Sequence, residues 1–429
     1  MSKLNRIKSF MSSGWFIASI VSLSYLLAFM QRTGPGVIAN HLQTEFHVSS
    51  AVLGTMTSIQ YLLYMILQVP VGLFGDRFGP EKLLVTGVFL DGAGTLIFAD
   101  SHGFMALLAG RAIVGIGDAL IYVNIVLILG KRFAPRVFGS LLGIVGTSGN
   151  VGAVLTTLPF AAWTEAEGWR IPFSILGIIL IFISIVDLVS LHVKPELTEP
   201  IETTVRVNTK KKPTKEILSL MLRDRNSWAT FACHFGICGT YIGFVSLWAV
   251  PYFLNVYHVS QTGSTVFTLA AFIGAVLGGP ISGAVSDKMG SRRIPYIFMQ
   301  AIATAAWATV PICLGAPPIW LAYILMFALG FAAGGCILSF AVIRDQVPDE
   351  RAGVVSGFAN TGGFLSAVLL PVLFGFVMDW LSPLSTHGGE VPSTVYIAAF
   401  VVPTVFSLVG LFGSFAIVEP NQKRKEALS

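Results

Sequence analysis

Gly72-Leu-Phe-Gly-Asp76-Arg77-Phe-Gly79-Pro80-Glu81-Lys82 ends one long apolar stretch and opens the next. In the other half of the chain, Gly283-Ala-Val-Ser-Asp287-Lys288-Met-Gly290 follows an apolar stretch in the same way. The shared pattern is Gly-x-x-x-Asp-basic-x-Gly. Glycines let two membrane helices cross closely, while an acid and a base can bond helix ends and basic partners. The pattern reads as a short loop between two spanning helices, used twice in a duplicated fold.

Working outward from the two loops, apolar stretches long enough to cross a roughly 30 Å hydrocarbon core recur along the whole chain. They lie near 14–38, 50–74, 83–101, 104–130, 137–163, 169–192, 227–254, 263–286, 294–313, 317–343, 353–380 and 393–417. These are twelve spans in two sets of six. Only 11% of the chain is charged and 54% is hydrophobic, against about 25% charged in an ordinary globular domain. That excludes a soluble enzyme. The segments lack the alternation of a membrane β-barrel. Met1–Trp15 has the basic start of a signal peptide but no Ala-x-Ala-like site follows, so 14–38 is kept as the first span.

The expectation is an all-α integral membrane protein with twelve transmembrane helices in two pseudo-symmetric six-helix bundles. The bundles cover 1–192 and 227–429, the second with a short tail, and 193–226 is a polar linker with a short surface helix at 214–224. Of the 27 Lys and Arg, all but Arg32, Arg111 and Arg170 fall in the N-terminus, the even-to-odd loops, the linker and the tail. By the positive-inside rule both termini face the cytoplasm. The same asymmetry accounts for the net charge of +5 without nucleic-acid binding. Cys233, Cys238, Cys313 and Cys336 all sit in apolar stretches without Cys-x-x-Cys spacing, so they read as packing residues. There is no metal-ligand cluster and no nucleophile constellation, hence no catalytic role and no cofactor.

With the loop motif, the twelve spans, the basic linker and the echo in the second half, the chain resembles the major facilitator superfamily over essentially its whole length. Two stretches are most similar to its anion:cation symporters. Span one reads Tyr25-Leu-Leu-Ala-Phe-Met-Gln31-Arg32, then Pro35 and Glu45-Phe46, and span four reads Arg111-Ala-Ile-Val-Gly115-Ile-Gly117-Asp118. The resemblance implies that Arg32 binds the anionic group of a substrate and that Asp118 takes part in proton coupling. One departure stands out: Gln31 occupies a position where many members carry an aspartate. Span five reads Gly146-Thr-Ser-Gly149-Asn150, without the Gly-Pro pair of drug:proton antiporters, which counts against drug efflux.

The residues support a similar reading on their own. An ionisable group within a span is expensive and usually faces the bundle interior or water. Arg32 shares a helical face with Tyr25 and Phe29, just before Gly34-Pro35-Gly36, which should loosen the helix. Its planar fork matches a carboxylate or phosphate; the alternative is an interfacial arginine reaching lipid headgroups. Arg111, Gly115, Asp118 and Tyr122 form one stripe of span four. Arg111 and Asp118 are two turns apart, about 10 Å along the axis, so each must find another partner. Asp91 in span three, at roughly the depth of Arg111, offers Arg111 a structural ion pair. Asp187 and Asp379, near span ends, read as solvated or capping.

Tyr61, Tyr64 and Gln68 in span two, and His234, Tyr241, Trp248 and Tyr252 in span seven, form further stripes. Tyr61, Tyr64 and Tyr241 are candidate liners; Trp248 and Tyr252 could be belt residues, and His234 a satisfied polar group. Asn360, in Asn360-Thr-Gly-Gly, is preferred over Asn150 as a partner for a hydroxylated substrate. Asp76 and Arg77 are expected to latch helix ends with Arg132 or Arg136, outside the substrate site. The expected protein is a monomeric multi-pass transporter of a bacterial inner membrane that carries a small organic anion of carboxylate or sugar-acid type together with protons. Its substrate residues are Arg32, Arg111, Tyr25, Tyr61, Tyr64, Tyr122, Tyr241 and Asn360. An exporter or exchanger of anions or drugs, or a transporter-like solute sensor, are the alternatives.

Overall fold

Every regular element among the described residues is helical, as a chain must be if its backbone hydrogen bonds are to close on themselves in lipid. The computed structural model describes residues 13–133, 135–192, 214–347, 349–382 and 391–419. In chain order the helices are α1 (Gly14–Val37), α2 (Ala39–Phe46), α3 (Ser50–Phe78), α4 (Pro80–Ala99), α5 (Phe104–Arg132), α6 (Pro135–Leu155), α7 (Leu158–Glu167) and α8 (Arg170–His192). Then follow α9 (Thr214–Arg223), α10 (Arg225–His234), a π-helical turn (Phe235–Gly239), α11 (Thr240–Val245) and α12 (Ala249–Tyr257). The last are α13 (Gln261–Met289), α14 (Arg293–Ile312), α15 (Ile319–Gly334), α16 (Ile337–Gln346), α17 (Asp349–Leu381), α18 (Ser393–Ala399) and α19 (Val401–Phe415).

Eleven helical stretches among the described residues are long and apolar enough to span a membrane. The twelfth expected span, 294–313, is α14, a 20-residue helix whose apolar run is diluted by Tyr296, Gln300, Thr304 and Thr309. Two of these polar groups are bonded inside: Gln300 Nε2 donates to the Cys233 carbonyl (3.0 Å) and the Tyr296 hydroxyl meets Ser339 Oγ (2.7 Å). The expected surface helix in the linker is α9. The chain is lipid-like on its outside, with Ile178, Phe182 and Ile185 of α8 each more than half exposed.

The duplicated loop is visible in the backbone. Gly79, between α3 and α4, has φ 87°, and Gly290, at the end of α13, has φ 61°. Both lie in the left-handed region that glycine enters without a Cβ clash. A second echo went unread in the sequence. His47-Val48-Ser49 and His258-Val259-Ser260 are separated by the same distance along the chain as the two loop glycines. Each histidine has a positive φ and each serine caps the next helix, with Ser49 Oγ accepting from Val52 N and Ser260 Oγ from Gly263 N.

By packing the chain forms two units, Met1–Gly34 with Leu62–Lys210, and Pro35–Tyr61 with Lys211–Ser429. In the first, α4 lies against α5 on one side and α8 on the other. Glycines make both contacts possible. Gly87 faces Gly117 and Gly94 faces Gly110, where an added Cβ would come within 2.6–2.8 Å of the opposite carbonyl; Gly92 meets the Gly177 carbonyl likewise. Ile17, Val21, Leu84, Val88, Ile121, Ile125 and Leu180 fill the core beside these tracks.

In the second unit α13 and α15 approach backbone to backbone. The Ala271 carbonyl leaves no room for a side chain at Gly330, nor the Phe331 carbonyl at Gly278. The start of α3 is held by α17: the Asp379 carboxylate accepts from Ser50 N (2.9 Å) and Ala51 N (2.8 Å). That is the capping role, satisfying two amides left open at a helix start. Trp248 and Tyr252 are not belt residues. They are 1% and 2% exposed, and their polar ends are spent inside on the Pro371 and Gly315 carbonyls.

Candidate functional site

Residues 86 positions apart meet in the interior of the first unit. Arg32 sits near the end of α1, which keeps its helical form through Pro35 and unwinds only at Ile38, where the amide turns back to the Pro35 carbonyl (3.2 Å). The expected loosening at Gly34–Gly36 is thus displaced by two residues, and Arg32 stays on a rigid helix. Its side chain turns inward, not to lipid. Nε donates to Asp118 Oδ2 (3.2 Å) and Nη2 to Asp118 Oδ1 (2.9 Å), with the arginine 8% and the aspartate 1% exposed.

Aromatic rings wall this fork. The guanidinium carbon is 4.5 Å from the Phe29 ring centre and 5.3 Å from that of Tyr64. Tyr25 packs edge-on against Phe29 (4.9 Å) and lies 5.2 Å from Tyr122. Behind them α6 contributes Gly149, where a Cβ would strike the Tyr25 ring at 2.8 Å. Five of the expected residues, Arg32, Asp118, Tyr25, Tyr64 and Tyr122, therefore form one cluster on α1, α3 and α5.

Arg111 is fully buried one layer away. Its Nη1 donates to the Gln31 carbonyl (3.3 Å) and its guanidinium lies 5.8 Å from the Phe98 ring. The depth expected for Asp91 needs correction. Because α4 and α5 run antiparallel, Asp91 is level with Gly117, whose hypothetical Cβ would lie 2.6 Å from Asp91 Oδ1, while Phe98 and Gly94 are level with Arg111 and Gly110. Asp91 is completely buried, and neither carboxylate oxygen has a well-formed hydrogen bond among the described residues. The Gln31 amide is buried in the same condition.

The other candidates belong elsewhere. Tyr61, Tyr241 and Asn360 lie in the second unit. The Tyr61 hydroxyl is shared with Ser246 Oγ (2.6 Å) and its ring packs near Phe364. Tyr241 is buried with its hydroxyl unpartnered among the described residues, and Asn360 is half-buried on α17. Asn150 donates within its own helix to the Gly146 carbonyl. His234 is a satisfied group: Nδ1 bonds Ser339 Oγ (2.9 Å). Asp187 departs from expectation, for it is not solvated but fully buried, accepting from Ser24 Oγ (2.8 Å). Its place five residues before the end of a span, opposite a serine of span one, was the available signal.

Of the expected latch, the side chains of Asp76, Arg77 and Arg136 lie outside the described residues. Arg132 donates to the Leu191 carbonyl at the end of α8 (3.4 Å). No group of three or more His, Cys, Asp or Glu among the described residues is arranged to hold a metal.

Chemically, the central pair is a cation and an anion that cannot be separated cheaply. Removing one partner of a buried pair strands a charge at a cost of about 3–5 kcal/mol. The arginine fork can, however, be handed from one planar anion to another. Comparison with known proteins bears on what that second anion is. Residues 21–337 and 265–429 match the family model described as Major Facilitator Superfamily. The chain is 22% identical to the probable galactarate/D-glucarate transporter GudP of Bacillus subtilis, over 93% of this chain and 92% of that one. It is also 22% identical to the D-galactonate transporter of Escherichia coli O6:H1, over 92% and 94%. Among solved structures it matches a bacterial homolog of the human lysosomal transporter Spinster with a TM-score of 0.75 at 18% identity, covering 95% of this chain and 99% of that one.

Proposed function

The chain belongs to the major facilitator superfamily, and from that premise we propose that it is a secondary transporter carrying a small organic anion of sugar-acid type by proton-coupled symport. The observation that carries the reading is the buried, two-pronged Arg32–Asp118 bond within its aromatic wall. The names of the two relatives above support the sugar-acid class.

The coupling follows from charge. In the empty carrier Asp118 neutralises Arg32. When Asp118 takes up a proton it releases the fork, and the substrate carboxylate takes its place. The empty carrier with ionised Asp118 and the loaded carrier with protonated Asp118 each hold a balanced pair. The two mixed states each strand a charge in a buried site, at a cost of several kcal/mol. Only the balanced states are populated enough to reorient, so proton and anion move together. Tyr25, Tyr64 and Tyr122 present hydroxyls for the polyol chain, and Arg111 adds positive field.

In this reading 1–192 and 227–429 are the two six-helix bundles, 193–226 is a cytoplasmic linker, and both termini face the cytoplasm of a bacterium whose inner membrane holds the monomer. Asp76, Arg77, Arg132 and Arg136 latch helix ends and bias the two conformations without touching substrate. The test is a thermal-shift screen of purified protein against D-galactonate, D-glucarate, galactarate, amines, neutral sugars and lipophilic cations. Stabilisation by a sugar acid that disappears in Arg32→Gln supports the reading, since binding to the folded state raises the melting temperature. Stabilisation by cations alone would overturn it.

A further inference from the structure

α9 has three sides that face three different surroundings. Met221 is 5% exposed and packs with Ile343, Val347, Val355 and Ala359, the facing ends of α16 and α17. Leu218 and Leu222, four residues apart and so on one stripe, are 42% and 51% exposed. Ser219 and Arg223, the next stripe round on the side away from Met221, are exposed as well. Two of the three sides of α9 are thus apolar, one buried against the protein and one open.

The link to α10 sets the depth of that stripe. One residue, Asp224, separates the helices, and its carboxylate caps α10 through Ser227 N (2.8 Å) and Ser227 Oγ (2.9 Å). Trp228, in the first turn of a stretch apolar enough to span the membrane, donates its indole N–H to the Leu222 carbonyl (2.8 Å). The indole packs edge-on against Phe231 and Phe358 and is 48% exposed, so its polar edge is used internally and half of the ring is left open to the outside. Tryptophan at a span end marks the boundary between headgroups and acyl chains. Leu222 is tied to that boundary by a hydrogen bond, and Leu218 lies one turn back. Arg223 and Arg225, on either side of Asp224, are exposed; Glu216, the exposed acid of α9, lies two turns from Arg223.

We propose that α9 is an interfacial helix that binds the anionic phospholipid headgroups of the leaflet on the linker's side. Leu218, Leu222 and the Trp228 ring enter the acyl boundary, Arg223 and Arg225 take the phosphates, and Met221 transmits the anchorage to α16 and α17. This rests on the topology above, which puts the linker on the cytoplasmic side where anionic lipids attract juxtamembrane bases.

The test uses the full chain in nanodiscs and no substrate, so its outcome is independent of the transport reading. In a background with Cys233, Cys238, Cys313 and Cys336 replaced by alanine, spin labels are placed singly through Leu218→Cys, Leu222→Cys and Ser219→Cys. Relaxation by oxygen, which concentrates in lipid, should exceed that by a water-soluble nickel chelate at 218 and 222 and fall below it at 219. Chelate dominance at all three would put the helix in water or against a soluble partner and overturn the proposal. In parallel, the melting temperature of the unlabelled protein is compared in phosphatidylcholine and in a mixture with one part in three phosphatidylglycerol. The anionic lipid should raise it in the wild type, and Arg223→Gln with Arg225→Gln should remove most of the rise. An equal rise in the double variant, or the same rise from inorganic phosphate in phosphatidylcholine alone, would overturn headgroup binding. The topology itself is checked separately by thiol labelling of Ser429→Cys in sealed vesicles.

Discussion

Replacing Asp118 by asparagine should tighten anion binding while destroying proton-driven accumulation. In the wild type at alkaline pH, a substrate carboxylate must displace Asp118 from bonds of 2.9 and 3.2 Å. Asparagine fills the same space and keeps one neutral acceptor, so what vanishes is about one charge-assisted bond, worth roughly 1.5–3 kcal/mol. At about 1.4 kcal/mol per decade, the variant should bind a sugar acid roughly 10- to 150-fold more tightly than the wild type at alkaline pH. Under the proposed coupling, wild-type binding takes up one proton with each anion and so depends on pH, whereas the variant, which has no carboxylate at this position, should bind with an affinity that stays flat. Isothermal titration of D-galactonate or D-glucarate across the pH range reads this directly. In proteoliposomes the variant should still exchange substrate across the membrane but fail to concentrate it under an imposed proton gradient. A variant that binds no tighter than wild type at alkaline pH, or that still accumulates substrate against a gradient, would refute the charge-exchange reasoning.

Arg32→Lys keeps the charge but loses the fork; since lysine is a point donor where arginine is bidentate, sugar-acid affinity should drop at least tenfold in the same titration, and unchanged affinity would count against a planar anion. Gly117→Ala would bring a methyl within 2.6 Å of the Gly87 carbonyl and Asp91 Oδ1, so α4 and α5 must part; a loss of about 1–3 kcal/mol is expected, read as a lower melting temperature. Gly143→Ala, with nothing within 4 Å of the added Cβ, should be neutral or slightly stabilising. Asp379→Ala removes the acceptor for two amides at the start of α3 and should cost about 0.5–2 kcal/mol, whereas Asp379→Asn should retain part of that.

The architecture was legible because membrane helices announce themselves locally. Length and apolarity are properties of a short window, and the repeat of Gly72–Gly79 in Gly283–Gly290 exposed the duplication. Only α14 blurred the pattern, since Tyr296 and Gln300 face inward to partners that no window contains. The site was legible as residue types but not as pairs. Spacing within α5 showed that Arg111 and Asp118 must part company, yet nothing local said that the partner of Asp118 lies on α1. Depth was misjudged where antiparallel neighbours had to be counted in opposite directions, as for Asp91. Burial was misjudged where a polar tip made a residue look interfacial, as for Trp248, Tyr252 and Asp187.

The backbone contact between α13 and α15 has a thermal consequence. In a soluble core, helices held together by expelling water loosen on cooling, and parting them raises the heat capacity because apolar surface meets water. Where the Gly278 and Gly330 turns touch opposing carbonyls, parting the helices would present their surfaces to acyl chains, and no water is released or ordered. The attraction is dispersion between close atoms, which does not fade in the cold. This seam should therefore hold its strength from winter to summer temperatures, and softening of the protein on cooling would have to begin in the parts that touch water.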